Sequence, residues 1–329
     1  MNPDPDNLRV NQPAWAGVPL IAVCVATYRR PALLRRLLDS FTGLALPAGY
    51  RVELRVVDND PEGASRGIVE SHPCQERVCV RYGVQPKRNI ALTRNMALDM
   101  GAADLLAFVD DDEAPATEWL VELVRALGDG VDIAIGDVVP SFEVAPQLWV
   151  ERGRFHYKDS GTGSAMGWRG ARTSNAMIRG RYVYDFGFRF DPEYGQTGGE
   201  DTDFFMRVMM SGARMEAAPL AIVVEHVHRS QLRFSWLARR FWRCGINYER
   251  IMSRAGGRHP LLRFGRRLVR GVLFLVGAMP LLLAGRAEYA ARALLDLSRA
   301  GGGLAGWLRP EWSTKSGGYP SSGVLEGKS

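Results

Sequence analysis

Four consecutive acids at residues 110–113, in the order Asp-Asp-Asp-Glu, are the side chains of this chain best suited to chemistry. Neighbouring carboxylates repel each other, so such a run is stable when a cation lies among them. Hard divalent cations such as Mg²⁺ take oxygen ligands, often one or two carboxylates together with substrate phosphates. The run therefore predicts a metal–diphosphate site. Its structural alternative is an acidic turn that caps a following helix, with Pro115 in the first helical turn.

The elements that position these acids follow from the apolar pattern. Residues 105–109 form an uninterrupted apolar run, which is typical of a buried strand in a parallel sheet. Further strands are predicted at 19–26, 51–57 and 78–82, and helices at 31–41, 89–100 and 115–127. Because strands and helices alternate, the fold class is α/β, a mostly parallel, doubly wound sheet with helices on both faces.

Polar residues stand where three of the predicted strands end, at 27–29, 58–60 and 110–113. The carboxyl ends of parallel strands meet in one crevice, and ligands of open α/β sheets bind there. Three polar strand ends at one edge predict a nucleotide site, in which a strand-end Asp suits a base or a ribose hydroxyl. The glycine-rich signatures of dinucleotide and P-loop sites are both missing, which argues against those two classes.

A second group of candidate residues lies in the other half of the chain. Residues 151–172 have little periodicity and predict a long surface loop, of the kind that often carries function. Glu200 or Asp201 then stands in the first turn of a predicted helix, after Gly198 and Gly199, which would let the backbone pass close to a substrate. The structural alternative for these acids is helix-start electrostatics alone.

Two histidines complete the set of candidate metal ligands. His226 and His228 follow a predicted short strand at 220–224, and residues two apart on a strand point the same way. Either could complete a metal site, and the alternative is a structural pair. The four cysteines, Cys24, Cys74, Cys79 and Cys244, match no zinc spacing and are interpreted as reduced thiols.

Composition and charge limit the partners. The chain has 329 residues, 46% of them hydrophobic, and a net charge of +6, with arginines dense from 229 to 270. This asymmetry indicates an anionic partner such as a phosphate, a lipid headgroup or nucleic acid. The acids of the predicted crevice argue against nucleic acid. The polar N-terminus lacks the layout of a secretory signal, so we expect a cytoplasmic protein.

The C-terminal part suggests contact with a membrane surface. Residues 271–285 carry no charge and follow several arginines, but the run is shorter than the about 20 residues of a spanning helix and contains Pro280. An arginine-flanked segment lying in the cytoplasmic leaflet is therefore expected. The alternative is a buried helical hairpin that covers the rest of the protein.

Five motifs in order resemble the inverting family 2 glycosyltransferases of GT-A fold, over roughly residues 19 to 250. They are Thr-Tyr-Arg-Arg-Pro at 27–31, Val-Val-Asp-Asn at 56–59, Lys-Arg-Asn at 87–89 through Arg-Asn-Met-Ala at 94–97, Asp-Asp-Asp at 110–112, and Phe-Asp-Pro at 190–192 with Gly-Glu-Asp at 199–201. Thr93 departs from the alanine usual there. The second and fourth motifs are most similar to glucosyltransferases of succinoglycan-type exopolysaccharide assembly.

The resemblance implies a role for each site residue. Asp201, with Glu200 beside it, would be the catalytic base, and Asp112 with His226 would bind Mg²⁺ or Mn²⁺. Asp58 would contact the nucleotide base, which is expected to be uracil, and Asp110 would lie near the ribose. The other donor-binding candidates are Thr27, Tyr28, Arg29, Asn89, Arg94 and Asp111. Asp111 and Glu113 could simply orient the turn. Arg239 and Arg240 could hold the diphosphate or form a solvated helix face.

The expected function is inverting transfer of a hexosyl group from a nucleotide sugar to a hydroxyl of a saccharide acceptor. The expected donor is a UDP-sugar. A polyprenyl-diphosphate-linked acceptor would explain membrane contact and a position on the inner face of the cell membrane. The predicted domains are a flexible N-terminus (1–17), the GT-A domain (18–229), a basic and apolar helical region (230–308) and a disordered tail (309–329). The alternatives are a nucleotidyltransferase, which should show a glycine-rich loop after the first strand, and a non-catalytic nucleotide- or glycan-binding module, which should lack Asp201.

Overall fold

A computed structural model describes residues 17–161, 167–257 and 259–308. The predicted flexible N-terminus lies outside the described residues except for Gly17, and the predicted tail at 309–329 lies wholly outside them. The prediction of disorder for these two segments therefore stays a prediction.

The described residues form one mixed sheet whose strands are arranged in the order β3-β2-β1-β4-β7-β6-β8-β5. The strands are β1 (Leu20–Thr27), β2 (Arg51–Asp58), β3 (Cys79–Val84), β4 (Leu105–Phe108), β5 (Glu113–Pro115), β6 (Ile133–Phe142), β7 (Ala176–Arg179) and β8 (Met215–Val227). The first four strands are parallel, and the register sets Thr27 beside Asp58. The predicted convergence of polar strand ends is confirmed on this half of the sheet.

The second half of the sheet corrects the prediction. Of the seven pairings, β6–β8 is parallel like the first three, whereas β4–β7, β6–β7 and β5–β8 are antiparallel. The sheet is therefore mixed rather than mostly parallel. The prediction that a helix begins at Pro115 is wrong, because Pro115 lies in β5. This strand is at the sheet edge, where a missing N–H is tolerated.

Helices cover both faces of the sheet, as predicted. They are α1 (Pro31–Thr42), α2 (Arg66–Glu70), α3 (Ile90–Asp99), α4 (Trp119–Ala126), α5 (Leu148–Gly153), α6 (Arg181–Tyr184), α7 (Glu200–Met210), α8 (Phe234–Arg254), α9 (Pro260–Leu283) and α10 (Ala287–Trp307). On one face, Val23 packs with Leu37 of α1 and Leu120 of α4. On the other, Ala22 packs with Ala97 of α3 and Phe204 of α7. Alternate residues of β1 thus serve two cores.

Three long helices form the C-terminal region. Helix α10 packs closely on α8 at small residues, since a Cβ at Gly245 would overlap the carbonyl oxygen of Arg299. Glu249 of α8 binds Arg263 and Arg267 of α9 through a side chain that is 3% exposed. Most of the uncharged segment at 271–285 lies in α9, which buries only Gly271 and Ala278. Contact of this segment with a membrane surface stays a prediction. Within the described ranges, no helix is long and apolar enough to cross a membrane.

Candidate active site

The acidic run at the end of β4 is tied to the end of β1. The Thr27 hydroxyl donates to Asp111 Oδ2 at 2.9 Å, and Arg30 NH1 donates to Asp111 Oδ1 and Asp112 Oδ2, both at 3.0 Å. Asp111 is 5% exposed. Its two oxygens are therefore occupied by this chain, which fits its predicted role in orienting the turn.

Arg94 links the acidic run to the start of α7. This buried guanidinium donates from NH2 to Asp110 Oδ1 at 3.1 Å and forms an ion pair from NH1 with Glu200 Oε1. Glu200 Oε2 is buried without a hydrogen bond. Burial raises the pKa of Glu200 to about 7, and Asp201 also raises it, although Arg94 opposes the shift. Glu200 therefore holds Arg94 rather than facing open space.

Asp112 lies where negative charge accumulates. Burial, followed by the carboxylates of Asp110, Asp111 and Glu225, raises the pKa of Asp112 to about 7, and Arg30 opposes this. A carboxyl in such surroundings favours either a proton or a cation nearby. The group of oxygen ligands is of the type that Mg²⁺ and Mn²⁺ prefer.

Asp201, the predicted base, lines the same cavity as the acidic run. This cavity of about 450 Å³ is bordered by Asp110, Asp111, Asp112, Asp201, Glu225, Lys158, Arg30, Arg172, Arg240, Arg243, Ser174, Gln231, Trp236, Ala26 and Ile90. Asp201 stands in the first turn of α7, behind Gly198 at φ 81° and Gly199 at φ 96°. These left-handed glycines turn the backbone so that α7 begins at the cavity wall.

A second cavity of about 600 Å³ adjoins the first, and both are lined by Arg30, Asp111, Ala26 and Ile90. Its other walls are Thr27, Tyr28, Asn59, Arg88, Asn89, Gly195 and Gln196. Arg29 and Arg88 both lie over the Tyr28 ring, at 5.4 and 5.1 Å from its centroid. The aromatic ring, amides and guanidinium at the strand ends are groups that can hold a nucleoside.

Some predicted donor residues serve the framework. Asp58 is fully buried, and its carboxylate accepts from Asp60 N and Ser65 N and from the Tyr82 hydroxyl, at 2.9 to 3.0 Å. It lines neither cavity. Asn89 caps α3 through Leu92 N, and Arg29 pairs with Asp60. The predicted base contact of Asp58 stays a prediction, and Asn59 is the residue of that motif that faces the cavity.

The two histidines do not share a strand. His228 begins a 3₁₀ turn and contacts Ser230, outside β8. His226 is in β8, beside Glu225, and alternate residues of a strand face opposite sides. Glu225 rather than His226 lines the Asp112 cavity. The metal role of His226 stays a prediction, and no group of three or more His, Cys, Asp or Glu in the described ranges is arranged to hold a metal.

Lys158, in the predicted surface loop, is a site residue that the sequence did not single out. Its ammonium lies 3.0 Å from Glu225 Oε2 and 3.7 Å from Glu113 Oε1. Arg172, from the same predicted loop, and Arg240, from α8, line the cavity with it. Arg239 is exposed and lies outside the lining, so the structure separates the predicted arginine pair. Neither periodicity nor motif could have indicated Lys158.

Comparison with known proteins identifies the class to which this fold and site belong. The profile of glycosyl transferase family 2 matches residues 22–184. The succinoglycan biosynthesis protein ExoM of Rhizobium meliloti (strain 1021) is 33% identical over 239 residues, 71% of this chain and 75% of that protein. The chain therefore belongs to glycosyl transferase family 2, and the resemblance seen in the sequence is confirmed.

Two further proteins extend the comparison. The pre-mycofactocin glycosyltransferase of Mycobacterium tuberculosis (strain ATCC 25618 / H37Rv) is 29% identical over 198 residues, which cover 57% of this chain and 40% of that protein. The mannosyltransferase PcManGT from Pyrobaculum calidifontis, solved with GDP-Man and Mn²⁺, matches with a TM-score of 0.58 at 19% identity, covering 88% of this chain and 87% of that one. This likeness agrees with a GT-A fold built on a mixed sheet.

Proposed function

We propose that this protein transfers a hexosyl group, with inversion, from a nucleotide sugar to a saccharide hydroxyl in polysaccharide or glycoconjugate biosynthesis. The observation that carries the proposal is the cavity of about 450 Å³, which Asp201 lines together with Asp110, Asp111 and Asp112. Direct displacement needs a base on the acceptor side and positive charge on the leaving side. Family membership and the exopolysaccharide protein among the relatives support the same reaction.

Asp201 removes the proton of the acceptor hydroxyl in this proposal, while the acceptor oxygen attacks the anomeric carbon. The nucleoside lies in the adjoining cavity, with Tyr28, Asn59, Arg88 and Asn89 in its walls. Arg29 and Arg94 act indirectly, through the acids that they bind. Arg29 pairs with Asp60, and Arg94 pairs with Glu200 and Asp110. Glu200 positions Arg94 beside the proposed catalytic base, Asp201.

Mg²⁺ or Mn²⁺ would be held by Asp112, with Asp110 as the neighbouring carboxylate. Bound there, the ion would neutralise the diphosphate of the departing nucleotide. Arg30, which now binds Asp112 at 3.0 Å, would then share the carboxylate with the ion or turn toward the phosphates. The structurally similar mannosyltransferase PcManGT was solved with Mn²⁺ and GDP-Man, which supports metal use.

A donor screen tests this function without knowledge of the acceptor. Purified protein is incubated with UDP-, GDP- and dTDP-hexoses, with and without Mn²⁺, and release of the nucleoside diphosphate is measured. We expect slow hydrolysis of one donor class, a UDP-hexose first, that requires the metal and disappears in Asp112→Ala. No release from any donor class would contradict the proposal.

We also propose that the enzyme acts at the inner face of the cell membrane on a lipid-linked acceptor such as a polyprenyl-diphosphate saccharide. Helix α9 supports this, because Arg266 and Arg270 are exposed beside a large apolar surface. The exposed apolar residues of α9 are Leu261, Leu262, Leu268, Val269, Val272, Leu273, Phe274, Val276, Met279, Leu281, Leu282 and Leu283. Apolar and cationic groups on one helix are complementary to an anionic bilayer surface.

Flotation with vesicles of phosphatidylglycerol and phosphatidylcholine tests the membrane proposal. Wild type should float with the vesicles, and Leu273→Asp/Val276→Asp should not. Leu220→Asp is the control, because Leu220 on β8 and Val276 are both 65% exposed. Wild type that stays at the bottom of the gradient, or light scattering that shows a dimer made by the α9 face, would overturn the proposal.

A further inference from the structure

Lys158 is a mostly buried cation in the wall of the acidic cavity. Its side chain is 17% exposed, and those of Glu225 and Glu113 are 13% and 0% exposed. Burial lowers the pKa of Lys158, but Glu225 and Glu113 outweigh burial and raise this pKa above its ordinary value. The side chain is therefore an ammonium at neutral pH, in a cavity that Asp112 and Asp110 also line.

The backbone of Lys158 is fixed from two sides. It forms a bridge with Val138 of β6, in which each residue donates to the other's carbonyl at 3.1 Å. Arg172 NH2 also donates to the Lys158 carbonyl at 2.6 Å and to the Gly136 carbonyl at 2.7 Å. A long flexible side chain that starts from such a fixed backbone loses less freedom when it binds a ligand.

The Lys158 ammonium has hydrogen-bond donors that the surrounding carboxylates do not use. Glu113 and Glu225 face each other across the β5–β8 pair, and Lys158 lies between them. The Glu113 oxygen is 3.7 Å away, beyond hydrogen-bond distance, and the Ser174 hydroxyl is at 3.4 Å, the long limit. Glu225 Oε2, at 3.0 Å, is an ion-pair partner but is buried without a hydrogen bond. An ammonium has three donors, so in the described residues these contacts leave donors of Lys158 available to a ligand.

We propose that Lys158 donates a hydrogen bond to the diphosphate of the bound nucleotide sugar and stabilises it as the leaving group. This inference rests on the proposed function and assigns part of it to a residue outside the family motifs quoted above. In the displacement, the bond between the anomeric carbon and the phosphate oxygen breaks, and its electron pair stays on that oxygen. The acceptor oxygen forms the new bond, Asp201 takes the acceptor proton, and Lys158 keeps its own protons.

The competing explanation is that Lys158 only neutralises Glu113 and Glu225. Removing the ammonium alone would then leave buried carboxylates unpaired, which destabilises a fold by itself. A single substitution cannot separate the two roles. The charge-balanced variant Lys158→Met/Glu225→Gln does, because it removes one charge of each sign.

The experiment measures the dissociation constants of UDP and uridine in MnCl₂ for wild type, Glu225→Gln and Lys158→Met/Glu225→Gln. Glu225→Gln is the reference, so that any effect of losing the Glu225 carboxylate is common to both variants. We expect UDP to bind the double variant about ten- to a hundredfold more weakly than the reference, because a hydrogen bond to a charged group is lost. Uridine, which has no phosphate, should bind both equally.

Equal UDP affinity of the double variant and its reference would overturn the assignment of Lys158 and leave the proposed function intact. Equal loss of UDP and uridine would also overturn it, since a diphosphate contact cannot weaken uridine. Failure of the proposed function looks different, because wild type would then hydrolyse no nucleotide sugar. If wild type hydrolyses a GDP- or dTDP-sugar instead, the matching diphosphate and nucleoside replace UDP and uridine.

Discussion

Asp201 and Glu200 are adjacent acids with different surroundings. Glu200 is 6% exposed and bound to Arg94, whereas Asp201 lines the cavity. Adjacent carboxyls in different environments can divide their roles, and in the proposed function Asp201 is the one that meets the acceptor hydroxyl.

We therefore expect Asp201→Asn to lower turnover by about two to four powers of ten, the range that general base catalysis contributes. Nucleotide affinity should stay nearly unchanged, because the proposed role of this side chain is on the acceptor and not on the nucleotide. Glu200→Gln should keep measurable turnover. Steady-state kinetics with calorimetric nucleotide titration measures both. Near wild-type turnover in Asp201→Asn would show that the base is another residue.

Asp112 provides a test by pH. Its pKa is raised to about 7 in the folded state by burial and by Asp110, Asp111 and Glu225. The folded state therefore binds this proton more tightly than the unfolded chain does. The resulting stability is fully present below about pH 4 and is lost as the pH rises through about 7.

The melting temperature of wild type should consequently fall, relative to that of Asp112→Asn, between about pH 4 and pH 8. Added Mn²⁺ should restore wild type at the upper pH, and have little effect on Asp112→Asn. Differential scanning fluorimetry measures these shifts. Parallel pH dependence in the two proteins would contradict the placement of Asp112 among buried carboxylates.

At the scale of elements, the start of α7 determines the position of Asp201, the proposed catalytic base. Gly199 has φ 96°, and a Cβ there would lie 3.0 Å from the Cβ of Asn247 on α8. Asn247 Nδ2 also donates to the carbonyl of Thr197 at 3.2 Å. Helix α8 thus supports the turn that sets Asp201.

Gly199→Ala should lower kcat about tenfold or more, since small misplacements of catalytic groups are costly. Gly212→Ala is the matched control, because Gly212 has φ 100° and no heavy atom within 4 Å of an added Cβ. Both substitutions pay a similar backbone strain of about 1–2 kcal/mol. Equal kcat for the two variants would show that the α7 turn does not position the base.

Some elements could be predicted from the sequence and others could not. Strands β1 and β4 follow from uninterrupted apolar runs, and their convergence brings Thr27 to Asp111. Strand β7 has only four residues, and β5 contains Glu113 and Pro115, so neither has a clear strand pattern. Tertiary pairing decides such segments.

Site residues that directly follow a strand, as the acidic run does, could be predicted from the sequence. Site residues that reach the cavity through contacts between distant parts of the chain could not be predicted. Lys158 reaches the cavity through a bridge to Val138, which no local pattern encodes. Asp58 has the expected position on β2, but its carboxylate binds Ser65 N and the Tyr82 hydroxyl, so its side chain serves the loop.

At the scale of the whole molecule, charge and apolar surface combine on α9. The chain has a net charge of +6, and Arg266 and Arg270 are exposed on this helix. Arg263 and Arg267 are held by Glu249, so α9 is anchored to α8 while its outer face stays exposed. Binding to a bilayer should therefore have an electrostatic part and an apolar part.

Raising the salt from about 0.1 M to about 1 M shortens the Debye length from about 10 Å to about 3 Å. Vesicle binding of wild type should weaken over this range without disappearing, because apolar insertion is not screened. Arg266→Gln/Arg270→Gln should bind more weakly at low salt and show less salt dependence. Binding curves from co-sedimentation measure this. A salt-independent wild type would contradict the electrostatic part.

The most direct test of the central claim is the stereochemistry of hydrolysis. If Asp201 activates the attacking hydroxyl or water on the face opposite the diphosphate of the donor, one displacement inverts the anomeric centre. Proton NMR of the sugar first released from an α-linked nucleotide hexose, before mutarotation, should show the β-anomer. Initial release of the α-anomer would contradict single displacement with Asp201 as the base.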